Sequence, residues 1–127
     1  MKERQLELNE NVLLKVSSGL EGGYEGVKRL EESGAVYDAI VASDDLIAAG
    51  ALKGLFNAGK KVPGDVAVFG YDDSQISRCT TPQLSTVDNK VSVLATEAVK
   101  MLYGVLQGSE VESKKLITPE LVIRESS

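Results

Sequence analysis

Four short polar groups carry the residue types from which a site could be built: Ser17-Ser18, Ser43-Asp44-Asp45, Tyr71-Asp72-Asp73 and Asp88-Asn89-Lys90. Carboxylates in such groups do one of three jobs: they cap helices, bind a divalent metal, or accept hydrogen bonds from ligand hydroxyls. Asp72 follows an apolar run with no helical pattern immediately behind it, which frees its side chain to point into a cleft. There it can accept from two adjacent hydroxyls of a sugar ring, each charge-assisted bond worth roughly 1.5–3 kcal/mol. Bracing its own loop is the competing role. Asp44 reads first as a helix N-cap and only second as a ligand contact. Ser43 either donates to a hydroxyl or caps. Asn89 offers a donor and an acceptor, which suits a polyol, and reads equally as an Asx-type cap for the helix behind it. Lys90 is expected to lie solvated unless it pairs with the rim acids.

The composition removes other chemistries. The chain has no histidine, which excludes His-based acid–base catalysis, Ser-His and Cys-His nucleophiles and His-ligated metals. Its one cysteine, Cys79, excludes an intrachain disulfide and a cysteine metal cluster. Neither the dinucleotide fingerprint nor the P-loop pattern is present, and Gly22-Gly23 is too slight for a phosphate loop. No catalytic residue, metal or cofactor is expected. An enzyme would need a base, and only unpaired carboxylates offer themselves. The net charge of −5 and pI near 4.8 make this segment by itself a poor nucleic-acid binder. No apolar run approaches the roughly 20 residues of a membrane span. Met1–Glu7 has no signal-peptide core, so a cytoplasmic location is expected.

The positioning elements alternate. Val12–Val16 reads as a strand. A helix follows Gly22-Gly23, with Tyr24, Val27 and Leu30 as its stripe and Ser33-Gly34 as its end. Tyr37–Ser43 is a second strand, apolar at consecutive positions as if covered on both faces. A helix from Asp44 to Ala58 carries Leu46, Ile47, Leu52, Leu55 and Phe56, and Pro63-Gly64-Asp65 is a turn. Val66–Tyr71 is a third strand, Gln75–Gln83 is irregular, and Leu84–Val87 is a fourth strand. A long helix runs from Val91 to Leu106, and Leu121–Arg124 is a last strand before a frayed tail. At 127 residues, this is one α/β domain with a largely parallel sheet and flanking helices. In such sheets ligands bind beyond the carboxyl ends of the strands, where all four polar groups fall.

Three stretches carry a family resemblance. Val41–Leu52 (VASDDLIAAGAL), Val62–Asp73 (VPGDVAVFGYDD) and Thr81–Val87 (TPQLSTV) resemble the lactose-repressor (LacI/GalR) family of bacterial transcription regulators. Gly22–Gly26 resembles a helix start of the same family, and the order holds from about Leu8 to Arg124. The resemblance implies one lobe of a type I periplasmic-binding-protein-like fold. The family closes two lobes on a small effector, usually a sugar or a purine, dimerises, and binds operator DNA through a separate N-terminal domain. By position, Asp72 matches the aspartate that binds effector hydroxyls, Ser43 a position that is often Asn, Thr or Ser, and Asn89 a cleft glutamine. Ser18 stands at or near the position where many members place an aromatic that stacks on the effector, a departure that weakens any stacked sugar or purine face. The implied dimer surface includes Ala48, Leu52, Leu55 and Thr80.

The resemblance also implies that residues 1–127 form a truncated C-terminal effector-binding subdomain. It would lack the DNA-binding domain, the hinge, the N-terminal subdomain and its own first, central strand. Helix 91–106 would pack on the missing subdomain. Left bare, its apolar face implies a homodimer or higher oligomer, including a strand-swapped one. The expected function is effector sensing by cleft closure in a DNA-binding regulator. The alternative is a sugar-binding protein of a transport system, which needs an export signal. A receiver-like phosphotransfer domain fits poorly, because the Asp44-Asp45 pair falls on the second strand.

Overall fold

The computed structural model describes residues 12–127. Met1–Glu7, read above for export signals, lie outside the described residues. The elements are α1 (Leu20–Ser33), β1 (Ala39–Val41), α2 (Asp45–Asn57), β2 (Ala67–Phe69), a short 3-10 turn (Gln75–Arg78), β3 (Thr86–Asp88), α3 (Val91–Leu106) and β4 (Glu120–Val122).

Local signals set the helix ends. Asp44 is extended, and its carboxylate accepts from the Ile47 amide at 2.8 Å, capping α2. Gly34 closes α1 at φ 67°, a left-handed conformation that glycine adopts without a Cβ penalty. Gly22 and Gly23, expected ahead of α1, lie inside it and bring it close to its neighbours. A Cβ on Gly23 would sit 1.9 Å from the Ile47 carbonyl oxygen of α2, and one on Gly50 would sit 1.9 Å from the Leu20 carbonyl oxygen of α1. Alanine at position 50 gains about 1 kcal/mol of helix propensity. The overlap with backbone outweighs that gain, so Gly50→Ala is expected to destabilise by about 3 kcal/mol, read from urea unfolding.

β1 and β2 are parallel, in register Ala39↔Ala67, Ile40↔Val68 and Val41↔Phe69, with α2 as the crossover. A parallel bridge, Phe69↔Ser85, sets the start of β3 beside β2. β3 then pairs antiparallel with β4, a departure from an all-parallel sheet. The core lies between these strands and the α1–α2 pair, with Leu55, Val66, Val68 and Leu84 fully buried.

Four expectations change. Val12–Val16 is not a strand, although its side chains still alternate between half-buried and exposed. A cavity of about 510 Å³ is lined by this segment on one side and β1 on another, and among the described residues the segment pairs with no strand. The same opening leaves β1 uncovered, and Val41 is 80% exposed. Leu46 and Phe56 of α2 also face solvent. The tail does not fray: Ser126 is fully buried, its hydroxyl donates to the Val68 carbonyl at 2.6 Å, and its carbonyl accepts from the Val68 amide at 2.7 Å.

Helix α3 has the expected bounds and no buried residue. Val99, Leu102, Tyr103 and Leu106 are each more than 60% exposed. No helix among the described residues is long and apolar enough to cross a membrane.

Candidate functional site

The polar strand ends gather where β1, β2 and β3 finish. At the exit of β2 the chain turns sharply through Tyr71–Ser74. Asp72 has φ 106° and Asp73 φ 46°, and Lys90, at the entry to α3, has φ 56°. Non-glycine residues adopt such angles at a cost of order 1–3 kcal/mol each, so surrounding bonds must hold them.

Those bonds are present. Asp45 donates its amide to the Tyr71 carbonyl (3.0 Å), and Asp72 donates its amide to the Val87 carbonyl (2.9 Å). The Asp45 carboxylate, 1% exposed, accepts from the Ser74 amide (2.7 Å), the Ser74 hydroxyl (2.9 Å) and the Thr86 hydroxyl (2.5 Å). Thr86 Oγ1 in turn accepts from the Asp73 amide at 3.3 Å. Gly70 leaves the room this needs, because a Cβ there would lie 2.3 Å from Asp45 Oδ1.

The turn presents Asp72 exposed at the rim, where its Oδ1 accepts from Asn89 Nδ2 at 2.7 Å. That bond fixes the amide's orientation, since the flipped form would set oxygen against carboxylate. Asn89 Oδ1 is left buried without a partner. A buried acceptor of this kind costs about 1–3 kcal/mol. Asp72 is thus the accessible acceptor suited to hydroxyl groups, and Asn89 holds its carboxylate in place. Asn89 does not cap α3; Lys90 takes the N-cap position without a side-chain cap.

Lys90 is not free in solvent. Its ammonium bridges Asp88 (2.8 Å) and Glu120 (2.7 Å), which pushes its pKa up to about 12. The Lys90 bonds hold Asp88 below the usual carboxylate range. Asp73 points away from the rim. Burial raises its pKa, but hydrogen bonds from Arg124 and Arg78 outweigh that and leave it lowered. A carboxylate with a depressed folded pKa adds stability above its unfolded value, 3.8, and loses it as pH falls through the folded value. The gap in urea midpoint between wild type and Asp73→Asn is therefore expected to be constant above pH 3.8 and to close below it.

The structure brings together only part of the expected set. Asp72 and Asn89 are in contact. Asp44 is engaged as the α2 cap. Ser43 is exposed and lines the cavity beside β1, and Ser18 is exposed in the bend before α1. Ala48, Leu52 and Leu55 are 0%, 6% and 0% exposed, so they are core and cannot form a dimer surface; Thr80 alone of that set reaches solvent. Their spacing along α2 marks one apolar face, and that face turned inward against α1 and β2. Thr86 and Arg124 were not singled out from the sequence as site-forming, and Asp45 was placed among the polar strand-end groups without a buried role. The glycine at position 70, where β2 meets the polar turn, was the one available sign of a close packing partner. Among the described residues no cluster of three metal-ligating side chains occurs.

An α/β unit whose polar strand ends share one rim has the architecture of a small-molecule binding lobe. The chain belongs to the periplasmic binding protein-like domain family, whose model matches residues 2–127. It is 32% identical over 123 residues to an HTH-type transcriptional regulator of Lachnoclostridium phytofermentans, covering 97% of this chain and 37% of that one. It is 35% identical over 126 residues to the HTH-type transcriptional regulator AscG of Escherichia coli, covering 99% and 38%. Its fold matches a sugar-binding transcriptional regulator (LacI family) from Escherichia coli complexed with phosphate, with TM-score 0.92, 35% identity, and coverage of 99% and 45%. These relatives are transcription regulators, and the chain spans well under half of their length.

Proposed function

We propose that this chain is the effector-binding region of a LacI-family DNA-binding regulator and that its effector is a sugar or similar polyol. The observation that carries the reading is the Asp72–Asn89 pair, an exposed carboxylate bonded to an amide whose buried oxygen lacks a donor. A sugar's adjacent hydroxyls can donate to the Asp72 lone pairs that Asn89 leaves free. The sugar-binding relative of known structure supports the same ligand class. No bond is broken in this role. Effector binds one closure state better, and that difference shifts operator affinity. Operator DNA is contacted by sequence outside these 127 residues, since the segment carries a net charge of −5.

In this reading residues 1–127 are one lobe, working in the cytoplasm, and α3 packs against a second lobe. Its bare apolar surface supports that, because a helix apolar around most of its circumference is stable only when covered. Alone, the 127-residue chain is expected to self-associate at micromolar concentration; a stable monomer in sedimentation would overturn that part. The full-length protein, screened by thermal shift against monosaccharides and disaccharides, is expected to gain several degrees with at least one. A purine responding where every sugar fails would overturn the polyol reading.

A further inference from the structure

We propose that Asp45 is a positioning residue for the binding site: it holds the Tyr71–Ser74 turn in the strained form that aims Asp72 at Asn89. The proposal rests on reading Asp72 as a ligand-binding group. Its ordinary role, an acidic residue in the first turn of a helix, does not account for what Asp45 does here. Its side chain is 1% exposed and both carboxylate oxygens are engaged away from its own helix.

Asp45 reaches the turn at three places. Its amide holds the Tyr71 carbonyl before Asp72, and its Oδ2 holds the Ser74 amide and hydroxyl after Asp73. Its Oδ1 accepts from Thr86 Oγ1, leaving that oxygen's lone pairs for the Asp73 amide. Asp72 and Asp73, the two residues with positive φ on this turn, lie between these anchors. Without those anchors the Asp72 amide still donates to the Val87 carbonyl, one bond set against the strain of two residues, and the pair relaxes toward negative φ, where L-residues are unstrained. That rotates the Cα–Cβ bond of Asp72 and breaks its 2.7 Å contact with Asn89. The Arg124 and Arg78 bonds to the Asp73 side chain restrain the turn on its far side and do not set the backbone of Asp72.

The test needs no ligand, so it stands or falls separately from the choice of effector. The side-chain amide of Asn89 is followed by NMR in the ligand-free full-length protein, with its signal assigned by its loss of the bonded position in Asp72→Ala. Asp45→Asn and Thr86→Val are each expected to move that signal to the position of a free asparagine while the backbone spectrum remains folded. Val27→Ala, a core deletion remote from the turn, is expected to lower stability and leave the signal in place. If Asp45→Asn does not fold, Thr86→Val decides alone. An unmoved signal in the folded variants, or an equal movement in Val27→Ala, would overturn the proposal.

Discussion

Replacing Arg124 with alanine is expected to cost about 3–4 kcal/mol of folding stability, more than any other single polar change outside the Asp45 cluster. Its guanidinium donates to the Asp73 carboxylate, to the Ser77 hydroxyl (3.0 Å) and to the Leu84 carbonyl (2.7 Å), and its side chain is only 12% exposed. The Arg124 amide also donates to Ser85 Oγ at 2.8 Å, a bond that alanine keeps. Truncation leaves a largely buried carboxylate short of its main partner and a carbonyl without a donor, and it is this loss that sets the cost. Arg78 holds the other oxygen of Asp73 but is 64% exposed, so Arg78→Ala is expected to cost no more than about 1 kcal/mol. Urea unfolding of the two variants measures the contrast. Equal losses would show that burial is not what makes the Arg124 bonds strong.

Replacing Asp72 with alanine is expected to lower effector affinity by roughly 10²–10⁴-fold, the equivalent of two charge-assisted bonds of about 1.5–3 kcal/mol each. Stability should fall only slightly, since alanine tolerates φ 106° less well than aspartate and loses one exposed bond to Asn89. Asp72 is exposed, and alanine removes its carboxylate without emptying the core. Calorimetric titration with whichever sugar stabilises the full-length protein reads the affinity, and thermal unfolding without ligand reads the stability. A loss of less than about threefold would remove Asp72 from the binding site.

What was legible in the sequence followed how local its cause is. The cap at Asp44, the left-handed end at Gly34 and the bounds of α3 depend on residues within a turn of one another, and all three appear as expected. Strand extent depends on neighbours. Tyr37–Ser43 and Val66–Tyr71 shrink to three-residue ladders, with single backbone bonds continuing at Asp38, Ala42 and Gly70, and Val12–Val16 faces a cavity. Sidedness was the hardest to read. The apolar positions Ala48, Leu52 and Leu55 suited an interface or a core, and only packing against α1 decides for the core. The site divided in the same way. Asp72 and Asn89 were visible as polar residues at strand ends. That Asp45, Thr86 and Arg124 form a buried scaffold was not, since burial of a polar side chain is a tertiary fact that its residue type argues against.

The central claim is that a polyol bound at Asp72 changes how the whole regulator holds DNA. It is tested most directly by measuring operator affinity of the full-length protein with and without the stabilising sugar, at one fixed salt concentration, for wild type and Asp72→Ala. The account predicts that the sugar changes wild-type operator affinity at least fivefold, in the range of ordinary coupling energies, and that the variant binds operator as the sugar-free wild type does and ignores the sugar. A variant that still responds to the sugar as wild type does would contradict it.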